Sequence, residues 1–321
     1  MATRRERHPV RVGALLWPQA TTWPELRDAA VRADAAGLDS IWTWDHLRAI
    51  VGDPDQDIFE GWALLAAWAA ITERATLGLM VGANTFRNPG VTAKAAVTLD
   101  HVSGGRASLG LGGAWFDHEH EAHGIDFGGG HGERLDWLEE AVAATAALLR
   151  GETVTSPPGG RYRFRDLRHR PLPVHGPGRL PIMIGGSGEK KTLRTVARHA
   201  DGWNTAGTVE QMAHKVEVLA GHCEAVGRDP LDIEYTLFPY VCLRDDPEEA
   251  RRALRERLAR HGDDYDPDPA VDFLGPEEQV AELWRPFLDL GFTHVIADLA
   301  GPFDHETIER LPRLRALVAG A

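Results

Sequence analysis

An acid and a histidine, Asp45-His46, directly follow a short apolar segment, Ser40–Trp44, that is typical of a buried strand. Histidine exchanges a proton near neutral pH, and a positioned acid or base typically contributes a factor of ~10²–10⁴ to a reaction rate. In a structural alternative, Asp45 caps a helix and His46 bonds to rim backbone. Because parallel barrels place catalytic groups at strand ends, we favour the catalytic interpretation.

Glycine-rich turns end two other predicted strands. The strand Ala107–Leu111 runs into Gly112-Gly113, and the strand Ile182–Ile184 runs into the turn Gly185–Gly188. Glycines let a flat ligand come close to the backbone. The second turn also leads into a predicted helix, whose free N–H groups suit a phosphate. An ordinary tight turn with a serine cap fits the same residues, so both interpretations stay open.

A segment rich in histidine, Phe116–Gly132, raises the question of a metal. It contains His118, Glu119, His120 and His123, which are residue types that zinc and iron sites use. Such a site would need a further ligand from elsewhere in the chain. The first predicted strand, VRVGALLW, also lacks the His-x-His with which metal-dependent hydrolase barrels usually begin. We therefore predict no metal, and expect hydrogen bonding or substrate contact instead.

Strands and helices alternate about eight times along the chain, which is the pattern of a (β/α)8 TIM barrel with its site at the C-terminal strand ends. The predicted strands are Val10–Leu16, Ser40–Trp44, Thr76–Val81, Ala107–Leu111, Ile182–Ile184, Gly202–Asn204, Ile233–Leu243 and His294–Leu299. The predicted helices are Trp23–Ala36, Gly61–Thr72, Val91–Ser103, Glu133–Leu149, Glu189–Ala200, Glu210–Val226, Pro247–Arg260, Pro276–Leu290 and Asp304–Val318. The rim insertions are Arg48–Glu60, Phe116–Gly132, Thr153–Arg179 and Gly262–Leu274.

Composition limits the class of protein. The chain has 321 residues, of which 43% are apolar, and a barrel takes about 250, so we predict a single domain over residues 1–321. The net charge of -13 disfavours nucleic acid and anionic membranes as partners. No apolar run is long enough to span a bilayer, and two cysteines are too few for a disulfide scaffold. We expect a cytoplasmic protein.

Several long motifs resemble the luciferase-like monooxygenase superfamily. They include SIWTWDHL, then LDHVSGGRASLGLGGAWFDHEHEAHG, then PIMIGGSGEKKTLRTVARHADGWN, in an order that covers most of the chain from Val10 to about Asn204. Several long motifs in the right order are more specific than one short motif. Within the superfamily, the chain most resembles the branch usually assigned the deazaflavin coenzyme F420.

The resemblance implies a barrel that binds a flavin or deazaflavin at its C-terminal strand ends. It places Asp45 and His46 against cofactor and substrate, and it implies a bulge behind the ring at the third strand end, often with a non-proline cis peptide. The turn at Gly185 would contact the cofactor's phosphate or ribityl chain. The implied cofactor-binding residues are Asp45, Met80, Val81, Gly82, Ala83, Gly112, Gly113, Gly185, Gly186, Ser187 and Gly188.

Trp115 departs from one pattern within the resemblance. Sugar-phosphate dehydrogenases of the deazaflavin group carry a glutamate at this position, which argues against a sugar-phosphate substrate. Trp115 either walls an apolar pocket or is buried for packing.

The function that this resemblance implies is an F420-dependent oxidoreductase, with His46 as proton donor or acceptor. It transfers a hydride between the deazaflavin and an unidentified organic substrate. The alternative is an FMN-dependent monooxygenase that uses reduced flavin and oxygen, because both cofactors share a flat ring and a ribityl phosphate. A non-catalytic flavin-binding protein is a further alternative. Barrels of this family are often dimers, so we expect a homodimer.

Overall fold

The structure is a computed structural model that describes residues 4–319. Its strands are β1 (Arg11–Leu16), β2 (Ser40–Thr43), β3 (Thr76–Leu79), β4 (Gly82–Ala83), β5 (Ala107–Gly112), β6 (Ile182–Gly185), β7 (Gly202–Thr205), β8 (Glu234–Leu237), β9 (Val241–Leu243), β10 (Phe273–Gly275) and β11 (Phe292–Leu299). Its helices are α1 (Arg4–Arg7), α2 (Trp23–Ala36), α3 (Gly61–Ile71), α4 (Pro89–Ser103), α5 (Asp117–His123), α6 (His131–Leu149), α7 (Thr192–His199), α8 (Val209–Val226), α9 (Pro247–Ala259), α10 (Glu277–Asp289), α11 (His305–Arg310) and α12 (Pro312–Ala319). A short 3-10 helix spans Pro230–Asp232.

The main sheet closes into the predicted (β/α)8 barrel. Its strand order is β3-β2-β1-β11-β8-β7-β6-β5-β4, and β3 also pairs with β5, with Leu77 opposite Ala107. The neighbouring strands are parallel. Because β4 continues β3 after a break at Met80-Val81, the two segments share one of the eight strand positions.

The barrel strands are buried on both faces, which explains their continuous apolar runs. On β1, Val12, Ala14 and Leu16 pack in the cluster that includes the surrounding helices, whereas Leu15 packs on the opposite side with Trp17. Successive side chains of a strand point to opposite faces, so Leu15 and Trp17 face the barrel interior.

The predicted strand Ile233–Leu243 is shorter than its apolar run, as the proline inside that run indicated. It divides at Pro239 into β8, which belongs to the barrel, and β9, which pairs with β10 in a separate two-stranded sheet. Proline has no N–H to donate to a sheet, so the run cannot continue as one strand. β10 also places a strand where the sequence predicted the end of a loop, Gly262–Leu274.

Other boundaries differ because of local chain chemistry. The segment predicted as irregular, Phe116–Gly132, contains α5, which ends at the left-handed Gly124. The predicted helix Asp304–Val318 is two helices, and the second begins at Pro312, a residue favoured at the first position of a helix. No helix within residues 4–319 combines the length and hydropathy needed to cross a bilayer.

Candidate active site

A cavity of about 760 Å³ opens where the barrel strands end, which is within the range of roughly 300–1,000 Å³ for small-molecule sites. The structure brings all the predicted site residues together in its lining. These are Asp45, His46, Met80, Val81, Gly82, Ala83, Gly112, Gly113, Gly185, Gly186, Ser187 and Gly188.

Asp45 is held by the neighbouring strand rather than by a helix. Its Oδ2 atom accepts hydrogen bonds from the Ala83 N–H at 2.9 Å and from Arg87 Nη1 at 2.6 Å. The alternative of a helix-capping aspartate is therefore wrong. The other oxygen, Oδ1, is buried without a hydrogen-bond partner among the described residues. Burial raises the pKa of Asp45 to about 6, although the Arg87 charge opposes the rise.

Arg87 joins Asp45 to the start of α3. Its second guanidinium nitrogen donates to Glu60 Oε1 at 2.7 Å, while Glu60 Oε2 accepts from the Ala63 N–H at 2.6 Å as the helix N-cap. Arg87 therefore places a positive charge beside the buried carboxylate of Asp45.

His46 is oriented by Glu119, a partner that sequence reasoning did not identify. The Nδ1 atom of His46 lies 2.9 Å from Glu119 Oε1, and the other carboxylate oxygen accepts from the Leu47 N–H at 2.8 Å. An ionised carboxylate only accepts hydrogen bonds, so the Nδ1 proton faces Glu119 and Nε2 is left for a ligand. The alternative that His46 bonds to rim backbone is wrong for its Nδ1 atom.

The residues considered for a metal are dispersed. His120 Nδ1 lies 2.7 Å from the Phe116 carbonyl and its Nε2 lies 2.6 Å from Thr85 Oγ1, while His123 Nδ1 contacts the Glu119 carbonyl. His118 extends into solvent. Within residues 4–319 no group of three or more His, Cys, Asp or Glu side chains is placed to hold a metal ion. Of the four residues considered for a metal, Glu119 is the one that hydrogen-bonds to a predicted catalytic residue, His46.

The break between β3 and β4 forms one wall of the cavity. The peptide bond between Met80 and Val81 is cis, in the position that the resemblance implied. Glycines surround the Val81 side chain, since a Cβ atom built at Gly112 would lie 2.6 Å from Val81 Cγ2, and one built at Gly185 would lie 2.8 Å from it. Larger residues at these two strand ends would displace Val81 and narrow the cavity.

The turn after β6 lies on the same rim. Gly186 has a φ of +120°, a conformation that other residues rarely adopt, and Ser187 and Gly188 are exposed. The helix that follows begins at Thr192, later than predicted, and Thr192 also lines the cavity. The turn therefore presents backbone and a hydroxyl to the cavity mouth.

Trp115 stands at the cavity mouth. It is 62% exposed and lines the cavity, with its ring centroid 5.6 Å from that of His46. The alternative of a tryptophan buried for packing is wrong, and Trp115 forms part of the wall.

Asp298 was also missed as a site residue. It lies near the end of β11, it lines the cavity, and the Nε1–H of Trp17 donates to its Oδ1 atom. Burial raises the pKa of Asp298 to about 7. The available signal was an acidic residue at the C-terminal end of an otherwise apolar barrel strand.

Asp298 is expected to make stability depend on pH. An aspartate in the unfolded chain has a pKa of about 3.9, so between about pH 4 and pH 7 the native state binds more protons than the unfolded state. The stabilising contribution of Asp298 to the free energy of unfolding is then fully present below pH 4 and is lost as the pH rises to 7. The free energy of unfolding of wild type relative to Asp298→Asn should fall by roughly 2–4 kcal/mol across this window.

Urea denaturation of both proteins at several pH values measures that difference. Asparagine does not titrate, and its side-chain oxygen still accepts from Trp17. All other titrating groups are common to both proteins, so their effects cancel in the comparison. A difference that stays constant between pH 4 and pH 7 would contradict the raised pKa of Asp298.

These features define a (β/α)8-barrel protein with a ligand cavity at its C-terminal strand ends. The chain belongs to the luciferase-like monooxygenase family, whose model matches residues 8–297.

Among curated relatives, an F420-dependent glucose-6-phosphate dehydrogenase of Beutenbergia cavernae is 31% identical over 323 residues, covering 89% of this chain and 92% of that protein. An uncharacterised protein of Mycobacterium tuberculosis is 33% identical over 170 residues. That match covers 53% of this chain and 58% of the mycobacterial protein, so it spans little more than half of either.

Solved structures share the fold. An F420-dependent secondary alcohol dehydrogenase in complex with an F420-acetone adduct superposes with a TM-score of 0.81, at 17% identity, over 97% of this chain and 98% of that one. The oxygenating constituent of 3,6-diketocamphane monooxygenase of Pseudomonas putida, in complex with FMN, gives a TM-score of 0.74 at 17% identity, over 96% and 98% of the two chains. At these identities the likeness concerns the fold.

Proposed function

We propose that this protein is an F420-dependent oxidoreductase that transfers a hydride between the deazaflavin and an organic substrate. The observation that carries the proposal is the meeting of Asp45, His46 and the glycine-lined Val81 wall in one cavity. The full-length similarity to a protein named as F420-dependent supports the choice of cofactor. We also propose that Asp45 and His46 are the catalytic residues.

The residues present fit a ribityl-phosphate cofactor with a flat ring. Val81 and the glycines beside it form a wall with little side-chain bulk, against which a ring can lie. Asp45 offers the buried Oδ1 atom, which lacks a protein partner among the described residues. A buried polar atom is costly unless it is hydrogen-bonded, so this oxygen is suited to a polar group of the ligand. The turn at Ser187 is suited to a phosphate.

The chain's own contribution is to position groups and to move a proton. When bound, the deazaflavin supplies a hydride donor or acceptor at its central ring carbon. His46 presents Nε2 to the cavity because Glu119 fixes Nδ1, so Nε2 can take a proton from a substrate hydroxyl or return one to a carbonyl oxygen. Trp44 and Trp115 flank the imidazole with ring centroids 6.1 and 5.6 Å away, which limits its contact with water.

The second candidate is an FMN-dependent monooxygenase. It is favoured by the shared chemistry of the two cofactors and by the FMN complex that has the same fold. Equilibrium titration of the purified protein with oxidised F420 and, separately, with FMN tests the two candidates. The proposal predicts that F420 binds at least ~10-fold more tightly than FMN, which is about 1.4 kcal/mol. Tight binding of FMN without binding of F420 would overturn it, and oxygen consumption dependent on reduced FMN would establish the alternative.

A negative charge in the turn after β6 is expected to weaken cofactor binding. Ser187 is exposed at the cavity mouth, so Ser187→Asp should disturb the fold little while repelling a phosphate held by the turn. We expect the Kd for F420 to rise at least ~10-fold, as for a like charge placed beside a bound anion. The measurement is a fluorescence titration of wild type, Ser187→Asp and the neutral control Ser187→Asn.

The deazaflavin nucleoside that lacks the phosphate provides the internal control. Its Kd should be the same for Ser187→Asp and Ser187→Asn. Equal weakening of the nucleoside and of F420 would show that the substitution acts on the ring site, and would contradict phosphate binding by the turn.

A further inference from the structure

The cavity has two chemically different halves. On the side of β4, β5 and β6 its lining is rich in glycine, including Gly82, Gly112 and Gly185. On the side of β2, β1, β11 and β8, which are consecutive neighbours in the sheet, the lining is aromatic and acidic. The aromatic and acidic half consists of Trp17, Trp44, Phe238, Tyr240 and Asp298. Apart from Asp45, which follows β2, the proposed cofactor contacts lie in the glycine half, so the second half is available to the substrate.

Asp298 faces the interior of the barrel. Val295, Ala297 and Leu299 of β11 pack outward with the helices, whereas Ile296 packs in the interior cluster, and alternation places Asp298 on the same side as Ile296. The residue is 9% exposed, and Trp17 donates to its Oδ1 atom. Asp298 forms no ion pair with any residue in the part of the chain that the structure describes. An acid without a cationic neighbour therefore points into an aromatic pocket.

The aromatic side chains around this acid form a continuous wall. The ring centroids of Trp17 and Trp44 are 4.6 Å apart, and those of Trp17 and Tyr240 are 6.4 Å apart. Tyr240 also lies beside Asp298 through a parallel β-bridge, and the Asp298 N–H donates to the Pro239 carbonyl at 2.9 Å. These contacts fix the position of the carboxyl group relative to the wall.

The charge of the cavity points in the same direction. The lining carries the acids Asp45, Glu119 and Asp298 and the histidines His46 and His131, with no lysine or arginine among the lining residues. A phosphate or carboxylate of a substrate in the aromatic half would face Asp298 without a compensating cation. Burial of an unpaired anion is strongly unfavourable.

We propose that the aromatic half, with Asp298 as its polar contact, is the substrate subsite. It binds a molecule that carries a hydrogen-bond-donating group, either hydroxyl or ammonium, on an apolar body, and it rejects anions such as sugar phosphates. Asp298 accepts the hydrogen bond through the oxygen that Trp17 does not occupy, and the rings cover the apolar body. This inference rests on the proposed function, because it takes the glycine half to be filled by the deazaflavin.

A series of probes that share one ring and differ in charge tests the subsite. Benzyl alcohol, benzylamine and benzoate are titrated by ligand-observed NMR into the protein saturated with F420, at about pH 8.5, which lies above the raised pKa of Asp298 so that its carboxyl group is ionised. Benzyl alcohol or benzylamine should bind at least ~10-fold more tightly than benzoate, as expected when a buried acid meets a donor rather than a like charge. Tighter binding of the alcohol would identify a hydroxyl substrate, and tighter binding of the amine would identify an ammonium substrate.

Two variants assign the preference to Asp298. Asp298→Asn keeps the acceptor for Trp17 and removes the negative charge, so the preference over benzoate should fall to within ~3-fold. The matched control is Asp264→Asn, which makes the same change at an exposed position on the rim and should retain the wild-type preference. Circular dichroism and the F420 titration establish that each variant is folded.

The subsite proposal would be overturned if benzoate bound as tightly as benzyl alcohol and benzylamine. It would also be overturned if Asp298→Asn kept the wild-type preference. The series is repeated on protein without deazaflavin, so that the charge preference is measured even if F420 does not bind. Failure of F420 to bind would count against the proposed function, whereas loss of the charge preference would count against the subsite.

Discussion

Replacing His46 with alanine is expected to lower turnover by about 10²–10⁴-fold, the usual contribution of a positioned general acid or base. The expectation follows from the geometry, because Glu119 holds Nδ1 at 2.9 Å and the imidazole lines the cavity beside Asp45. Turnover is measured as the change in deazaflavin absorbance with the member of a panel of alcohols and ketones that wild type turns over fastest. The Kd for F420 should change by less than ~3-fold, since alanine removes a proton carrier and not the wall that holds the ring.

Glu119→Gln is the companion variant. An amide can donate to Nδ1 as well as accept from it, so it no longer enforces the tautomer that presents a lone pair from Nε2. Its loss of turnover should be smaller than that of His46→Ala, and the double variant should lose no more than His46→Ala alone, because the two residues act as one unit. Unchanged turnover in His46→Ala would contradict the catalytic role of His46, whereas binding of F420 without any turnover in wild type would favour the non-catalytic flavin-binding alternative.

Replacing Arg87 with methionine is expected to lower the free energy of unfolding by about 3–5 kcal/mol at pH 8, the usual cost of removing one partner of a buried ion pair. Methionine retains the aliphatic stem but leaves Asp45, which is 2% exposed, without its cation. The cost should be smaller at pH 5, because the pKa of Asp45 is raised to about 6 even with Arg87 present, and the uncompensated acid then takes up a proton. Urea denaturation at both pH values provides the measurement.

Two further variants serve as controls for Arg87→Met. Arg48→Met removes an arginine that contacts the exposed Asp55 on the rim, and it should cost less than ~1 kcal/mol. The double variant Asp45→Asn/Arg87→Met should recover part of the lost stability, because no charge then remains to be buried. Equal costs for Arg87→Met and Arg48→Met at pH 8 would show that Asp45 does not depend on Arg87.

The sequence predicted those site residues that combine a suitable residue type with a position at the end of a predicted strand. Asp45-His46 and the two glycine turns each follow an apolar run, and the ends of parallel strands in a barrel meet on one rim, so their convergence required no knowledge of side-chain geometry. The same logic applied to Asp298 would have found it, since that acid lies one residue before the end of β11.

The partners of these residues were not predictable in the same way. Glu119 comes from α5, in a segment with no clear apolar period, and it reaches His46 across 73 positions of sequence. Arg87 lies in the turn after β4, and only the folded chain shows that it pairs with the buried Asp45. Such contacts depend on how loops close over the rim, and this closure is a tertiary effect that local spacing does not encode. The division of β8 from β9 at Pro239 is different, because the proline signalled it directly.

A crystal of the protein with oxidised F420 tests the central claim most directly. The account predicts that the deazaflavin ring lies against the Met80-Val81 wall, beside Gly112 and Gly185, with its phosphate at the turn that contains Ser187. It also predicts that His46 and Asp298 remain uncovered on the opposite side. Density for the ring elsewhere on the molecule, or a cavity without ligand at concentrations that saturate binding in solution, would contradict the account.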